Sequence, residues 1–206
     1  MDIELKNIKY SPTLSDDSNA FSANLYINGK KVCMVSDNGN GGGLDYGIVD
    51  PQLRPLLNEA EQWCRQLPPI ISSLSGEEPR SLEMDLELYI GDLLEKHLEG
   101  KEQERMEKKM VTAFVIGATD SIEYTSFDFK TVTLQQILDH PEGHKKMEEM
   151  IRTKLLPKLT DGMVLLNTNI PEDILLSAGL KEGQYVKPQN QTTVSQNKQR
   201  SPGRRP

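Results

Sequence analysis

Two short runs rich in β-branched and aromatic residues, Ala20 to Ile27 and Lys31 to Val35, flank the dipeptide Asn28-Gly29. Asn-Gly tolerates the positive φ angles of a type I′ turn, so the arrangement predicts a tight β-hairpin. Side chains alternate across a strand. Phe21, Ala23, Leu25 and Ile27 therefore share one face and Ser22, Asn24 and Tyr26 the other, giving a core side and a wetter side. Ile3 to Tyr10 reads as a further strand, separated from the hairpin by the polar run Ser11 to Asn19.

Beyond the hairpin, Asp37 to Gly47 holds five glycines in eleven residues and is expected to be a loop. Asp50-Pro51 supplies a helix start, and Leu53, Leu56, Leu57, Ala60, Trp63 and Cys64 recur at helical spacing to about Gln66. The stretch 67–80, with Pro68, Pro69, Gly76 and Pro79, reads as a connector that separates two lobes. A second helix is expected from Ser81, with Leu82, Leu86, Ile90, Leu93 and His97 on its apolar side; past Gly100 it would continue as a charged, solvated extension. Met110 to Ile116 and Ile122 to Phe129 read as a second hairpin. Helices follow at Thr133 to Asp139 and Pro141 to Leu156, then a buried strand at Met163 to Leu166 and a short helix from Pro171 to Gly179. Hairpins interrupted by runs of helix, without strict βαβ alternation, define the fold class as α+β. The organisation expected is 1–66, a connector 67–80, a body 81–180 that can share a core with 1–66, and a disordered basic tail 181–206.

Charge is divided along the chain. Residues 186–206 carry Lys187, Lys198, Arg200, Arg204 and Arg205 and no acid, so the formal charge of −7 less the tail's +5 leaves −12 for the rest. An acidic body repels phosphate, which disfavours nucleic-acid binding outside weak contact by the tail. The tail has too few apolar residues to offset the entropy of ordering. No apolar run approaches the roughly 20 residues of a membrane span. The N-terminus lacks the basic and apolar regions of a secretory signal, and two cysteines are too few for a disulfide framework, so a cytoplasmic protein is expected.

Asp37, Asn38, Gly39, Asn40, Gly41, Gly42, Gly43, Asp45 and Tyr46 are the candidate binding residues, for a protein partner or a small anionic ligand. Backbone amides free of side chains can cradle an anion, and close approach needs glycine. The segment lacks the Lys-Ser or Lys-Thr ending of a P-loop and the third glycine of the dinucleotide fingerprint, and its oxygens do not follow EF-hand spacing. His140 and His144 bracket Glu142 in the wrong order for an H-E-x-x-H zinc helix, and Pro141 and Gly143 interrupt the segment. Cys33 and Cys64 read as buried hydrophobes with no activating base. No catalytic residue, metal ligand or cofactor is assigned.

The runs Ile3 to Ser11, Ser15 to Val32 and Asp37 to Gly42 together resemble a family of uncharacterised proteins of phages, plasmids and other mobile elements. The resemblance covers about the first quarter of the chain. A histidine common within that glycine-rich pattern is replaced here by Asn40. What the resemblance implies is a small accessory protein of a mobile element that binds and modulates a host or competing factor; it carries over no catalytic residue and no ligand. The function expected is a non-enzymatic interaction module in which the hairpin and Gly39 to Gly43 present a surface for a protein partner or a small anionic ligand. The alternative is an enzyme or binder of a nucleotide or other phosphorylated small molecule, with Asp37 or Asp45 assisting.

Overall fold

A computed structural model describes residues 1–72, 80–119, 121, 123–160 and 162–188; the backbone but not the side chain of Ser72 is included. The chain is α+β and falls into two units, 1–100 and 101–206. The second half of the expected connector, the start of the second hairpin's outer strand at Ile122, and the tail from Gln189 onward lie outside the described residues.

The first unit is built on an antiparallel sheet in the order β1-β2-β3-β4, with β1 at Ile3–Tyr10, β2 at Phe21–Ile27, β3 at Lys30–Asp37 and β4 at Asp45–Ile48. The expected Asn28-Gly29 turn joins β2 to β3, both residues at positive φ (48° and 77°). Burial alternates along β2 as predicted, with Phe21, Ala23, Leu25 and Ile27 inward. Against this face pack Ala60 and Cys64 of α1 (Arg54–Cys64) and Leu86, Ile90 and Leu94 of α2 (Leu86–Met110). Trp63 and Tyr89 meet edge to face, centroids 5.6 Å apart. A two-stranded ribbon, β5 (Ile70–Ser72) with β6 (Arg80–Leu82), precedes α2.

Three boundaries differ from expectation. The glycine-rich segment is a loop only as far as Leu44, and Asp45-Tyr46-Gly47 belong to β4. Helix α2 starts at Leu86, because Asp85, not Ser81, caps it: Asp85 Oδ1 accepts from Leu88 N at 2.8 Å. Leu82 lies instead on β6 and is exposed. The division between units falls at Gly100, inside α2, because Met84 to Leu94 join the sheet's core.

In the second unit β7 (Ala113–Gly117) lies between β8 (Tyr124–Asp128) and β9 (Val164–Leu165) in an antiparallel sheet. Helices α3 (Leu134–Leu138), α4 (Gly143–Met150) and α5 (Glu172–Ser177) supply Leu134, Ile137, Met147, Ile174 and Leu175 to the core around Phe114 and Leu165. Thr133 and Gln136 form a reciprocal capping box at α3, and a five-residue π-helical stretch, Ile151–Leu155, continues α4. Buried Asn167 ties the sheet to the end of α2. Its Oδ1 accepts from Val115 N at 2.7 Å, and its Nδ2 donates to the carbonyls of Met110 and Ala113. Residues 181–188, read as the start of the tail, fold back onto β9. Tyr185 is buried beside Leu165, and Leu165 exchanges backbone hydrogen bonds with Gln184 and Val186 at 2.9 and 2.8 Å.

Candidate functional site

The glycine-rich loop connects β3 to β4, and residues 11–20 dock against it. Gly39, at φ +89°, is buried, and its carbonyl accepts from three successive amides, Asp16, Asp17 and Ser18, at 3.0 to 3.2 Å. A Cβ on Gly39 would fall 1.9 Å from the carbonyl oxygen of Leu14, so glycine here is dictated by backbone meeting backbone. Asp37 Oδ1 accepts from Gly39 N (2.7 Å) and from the Ser18 hydroxyl (2.9 Å), and Ser18 Oγ in turn accepts from Gly41 N at 3.0 Å. Asn38 Oδ1 accepts from Asn40 N at 3.1 Å, a local Asx turn. At the far end Leu44 N donates to Glu87 Oε1 on α2, beside which Gly43 passes.

The network decides how the loop can be used. The amides of Gly39, Asn40, Gly41 and Leu44 all donate to side-chain oxygens of the protein itself. An anion cradle would need them turned outward together. What faces solvent instead is acidic: Asp16, Asp17, Asp45 and Glu87 are exposed around the loop. Gly42 lies in open space.

Of the nine residues singled out in the sequence, Asp37, Gly39 and Gly41 therefore meet in one network, while Asn38 and Asn40 close their own turn. Asp45 and Tyr46 sit apart on β4, opposite Ser36 and Val35. Tyr46 borders a cleft of about 270 Å³ with Leu57, Asn58, Glu61, Asp85, Leu86 and Glu87. Burial, followed by the nearby Glu87 carboxylate, pushes its phenol well above the usual tyrosine range. Glu61 and Asp85 serve the start of α2, where Glu61 Oε2 accepts from Leu86 N at 3.0 Å and its other oxygen pairs with Arg65.

Ser18, Glu61, Asp85 and Glu87 were not anticipated as site residues. The run Ser15-Asp16-Asp17-Ser18 carried the relevant signal, since small hydroxyl and carboxylate side chains bond backbone in loops, but nothing local told which backbone it would meet. The remaining candidates lie elsewhere. His140 and His144 are exposed at the entry to α4, and His140 Nδ1 accepts from Glu142 N at 3.3 Å. Among the described residues no three His, Cys, Asp or Glu side chains are grouped to hold a metal. Cys33 and Cys64 are buried in the first core, and loss of hydration pushes each thiol up to about 11. No helix among the described residues is long and apolar enough to cross a membrane. No protein-family model, curated protein or solved structure matches the chain.

Proposed function

We propose that this chain is a non-enzymatic interaction module, an accessory protein of a mobile element acting in the cytoplasm, which engages a protein partner through the glycine-rich loop and the hairpin beside it. The observation that carries the reading is the closed network centred on Gly39: it holds an exposed loop in one shape, with the amides of Gly39, Asn40, Gly41 and Leu44 bonded to the protein's own side chains. A pre-formed surface loses little entropy on binding, which suits recognition. Charge indicates the kind of partner. Residues 1–100 carry 17 acidic and 8 basic side chains, a net of −9, whereas residues 101–188 carry 14 and 12, a net of −2. The loop belongs to the strongly acidic unit, so a basic partner surface complements it better than a small anion does. A phosphorylated metabolite would meet the carboxylates and find the amides of Gly39, Asn40, Gly41 and Leu44 already engaged.

Native mass spectrometry of the protein purified from its own kind of cell tests this reading. The expected result is a retained protein subunit that is lost in an Asp16→Lys, Asp17→Lys double variant. A retained metabolite mass that survives the double substitution overturns it.

A further inference from the structure

The sheet of the first unit has two edges, and they are treated differently. Along β1 the edge is guarded: Lys6 and Lys9 lie on it, and the register with β2 shifts between them where Asn7 takes φ 55°. Lysines and a bulge are the usual means of discouraging strand addition. Along β4 there is no lysine, no proline and no bulge, and Gly47 is bare. Val49 N donates to Val32 O at 3.1 Å, which makes that pair a hydrogen-bonded one. Antiparallel alternation then directs the Gly47 and Asp45 backbone groups toward β3, and those of Tyr46 and Ile48 away from it. Among the described residues no other backbone or side-chain group takes the outward groups of Tyr46 and Ile48.

Two apolar side chains flank this open edge. Met34, directly across from Gly47, is 51% exposed on the outer face, and Val49 is 53% exposed at the strand's end. With no side chain at position 47, the Met34 thioether can lean across the bare backbone toward whatever lies beyond it. Asp45 is exposed two residues before Gly47 and points to the same face.

The geometry points to strand addition at β4: an extended segment of a basic partner pairs antiparallel with Tyr46 and Ile48, placing an apolar residue opposite Gly47 against Met34 and, two positions later, a lysine or arginine opposite Asp45. This rests on the interaction-module reading and specifies its partner. Main-chain bonds supply affinity in this mode of recognition and the alternating side chains supply specificity. With only two residues presenting outward groups, binding is weak and depends on the lysine.

The test uses the full chain, labelled with ¹⁵N, and an eight-residue threonine and valine peptide carrying leucine two positions before lysine. Saturable shifts confined to Met34 and residues 45–49, with slowed amide exchange at Tyr46 and Ile48, are the expected result. Asp45→Lys and a peptide with glutamate for lysine each weaken binding about tenfold. A peptide N-methylated on its pairing edge shows no protection at all. Shifts at residues 38–44 with unchanged exchange at Tyr46 and Ile48 overturn strand addition while leaving the loop as an interaction surface. Protection of Tyr46 and Ile48 that rises with protein concentration in the absence of peptide assigns the edge to a second copy and overturns the basic partner. No saturable shift anywhere overturns it as well.

Discussion

Replacing Gly39 by alanine adds one methyl group, and the structure dictates a large response to it. Two costs combine. At φ +89° an L-residue is strained by about 1 kcal/mol relative to glycine. The new Cβ also falls 1.9 Å from Leu14 O and 2.9 Å from Leu14 C, both backbone atoms that no rotamer change can move aside. Segment 11–20 must shift, breaking the three amide bonds to the Gly39 carbonyl. At a net ~0.5–1.5 kcal/mol each, these raise the total to about 3–5 kcal/mol. That loss is bounded above by complete release of the segment, because the chain can undock it without unfolding the sheet.

Two sister substitutions separate the contributions. Gly29 is at φ +77° with nothing within 4 Å, so Gly29→Ala bears the torsional cost alone, about 1 kcal/mol. Gly42 has neither a positive φ nor a neighbour within 4 Å, so Gly42→Ala stays within about 0.5 kcal/mol of the parent. Urea unfolding followed by fluorescence reads the first unit selectively, because Trp63 is the only tryptophan and packs in that core. With m near 1–3 kcal/mol/M, a loss of that size lowers the Gly39→Ala midpoint by roughly 1–5 M. If Gly39→Ala and Gly29→Ala shift the midpoint equally, the backbone collision is absorbed without loss and the account of the pinned loop fails.

The two cysteines give a pH-dependent prediction. Their folded-state values of about 11, against an ordinary 9.0, mean that above pH 9 the unfolded chain releases thiol protons that the folded chain retains, so stability falls as pH rises from 9 to 11. At pH 8 both thiols should also react with a disulfide reagent at least ~100-fold more slowly than after unfolding, and rapid native labelling of either would contradict their burial. The second unit offers a truncation test. A chain ended at Leu180 loses the Tyr185 packing, its 2.8 Å hydroxyl bond to Glu172 and the pairing with Leu165, and should melt roughly 10 °C below a chain ended at Pro188. Equal melting temperatures would mean that residues 181–188 contribute nothing to the fold.

Local signals in the sequence located what is locally determined. Asn28-Gly29 specifies its own turn, and the alternation in β2 specifies which side chains are buried, because both depend on immediate backbone geometry. Strand β4 was hidden by Gly43 and Gly47, which lower strand propensity, and forms because β3 offers a partner edge. The start of α2 turned on which of two capping residues was used, and Glu61, distant in sequence, supports Asp85 at that end. The boundary at Gly100 could not be read from composition, since the proline-rich 67–80 stretch resembles a linker while membership of a core is a property of packing. In the same way Ser18 and Glu87 reach the loop from 23 and 43 residues away.

These long-range contacts also sort the acidic residues by role. Asp37, Glu61, Asp85 and Glu87 each accept a bond from a backbone amide, so their charge is partly matched by local dipoles and they hold the loop and the helix start in place. Asp16, Asp17 and Asp45 are exposed, and among the described residues their carboxylates take no hydrogen bond or ion pair. Alanine at Asp37 would therefore change the loop's shape along with its charge, and a loss of binding would have two explanations. Charge reversal at Asp16, Asp17 or Asp45 alters what a partner meets while leaving the Gly39 network intact. For this reason a binding defect in those variants, with the urea midpoint unchanged, speaks directly about recognition.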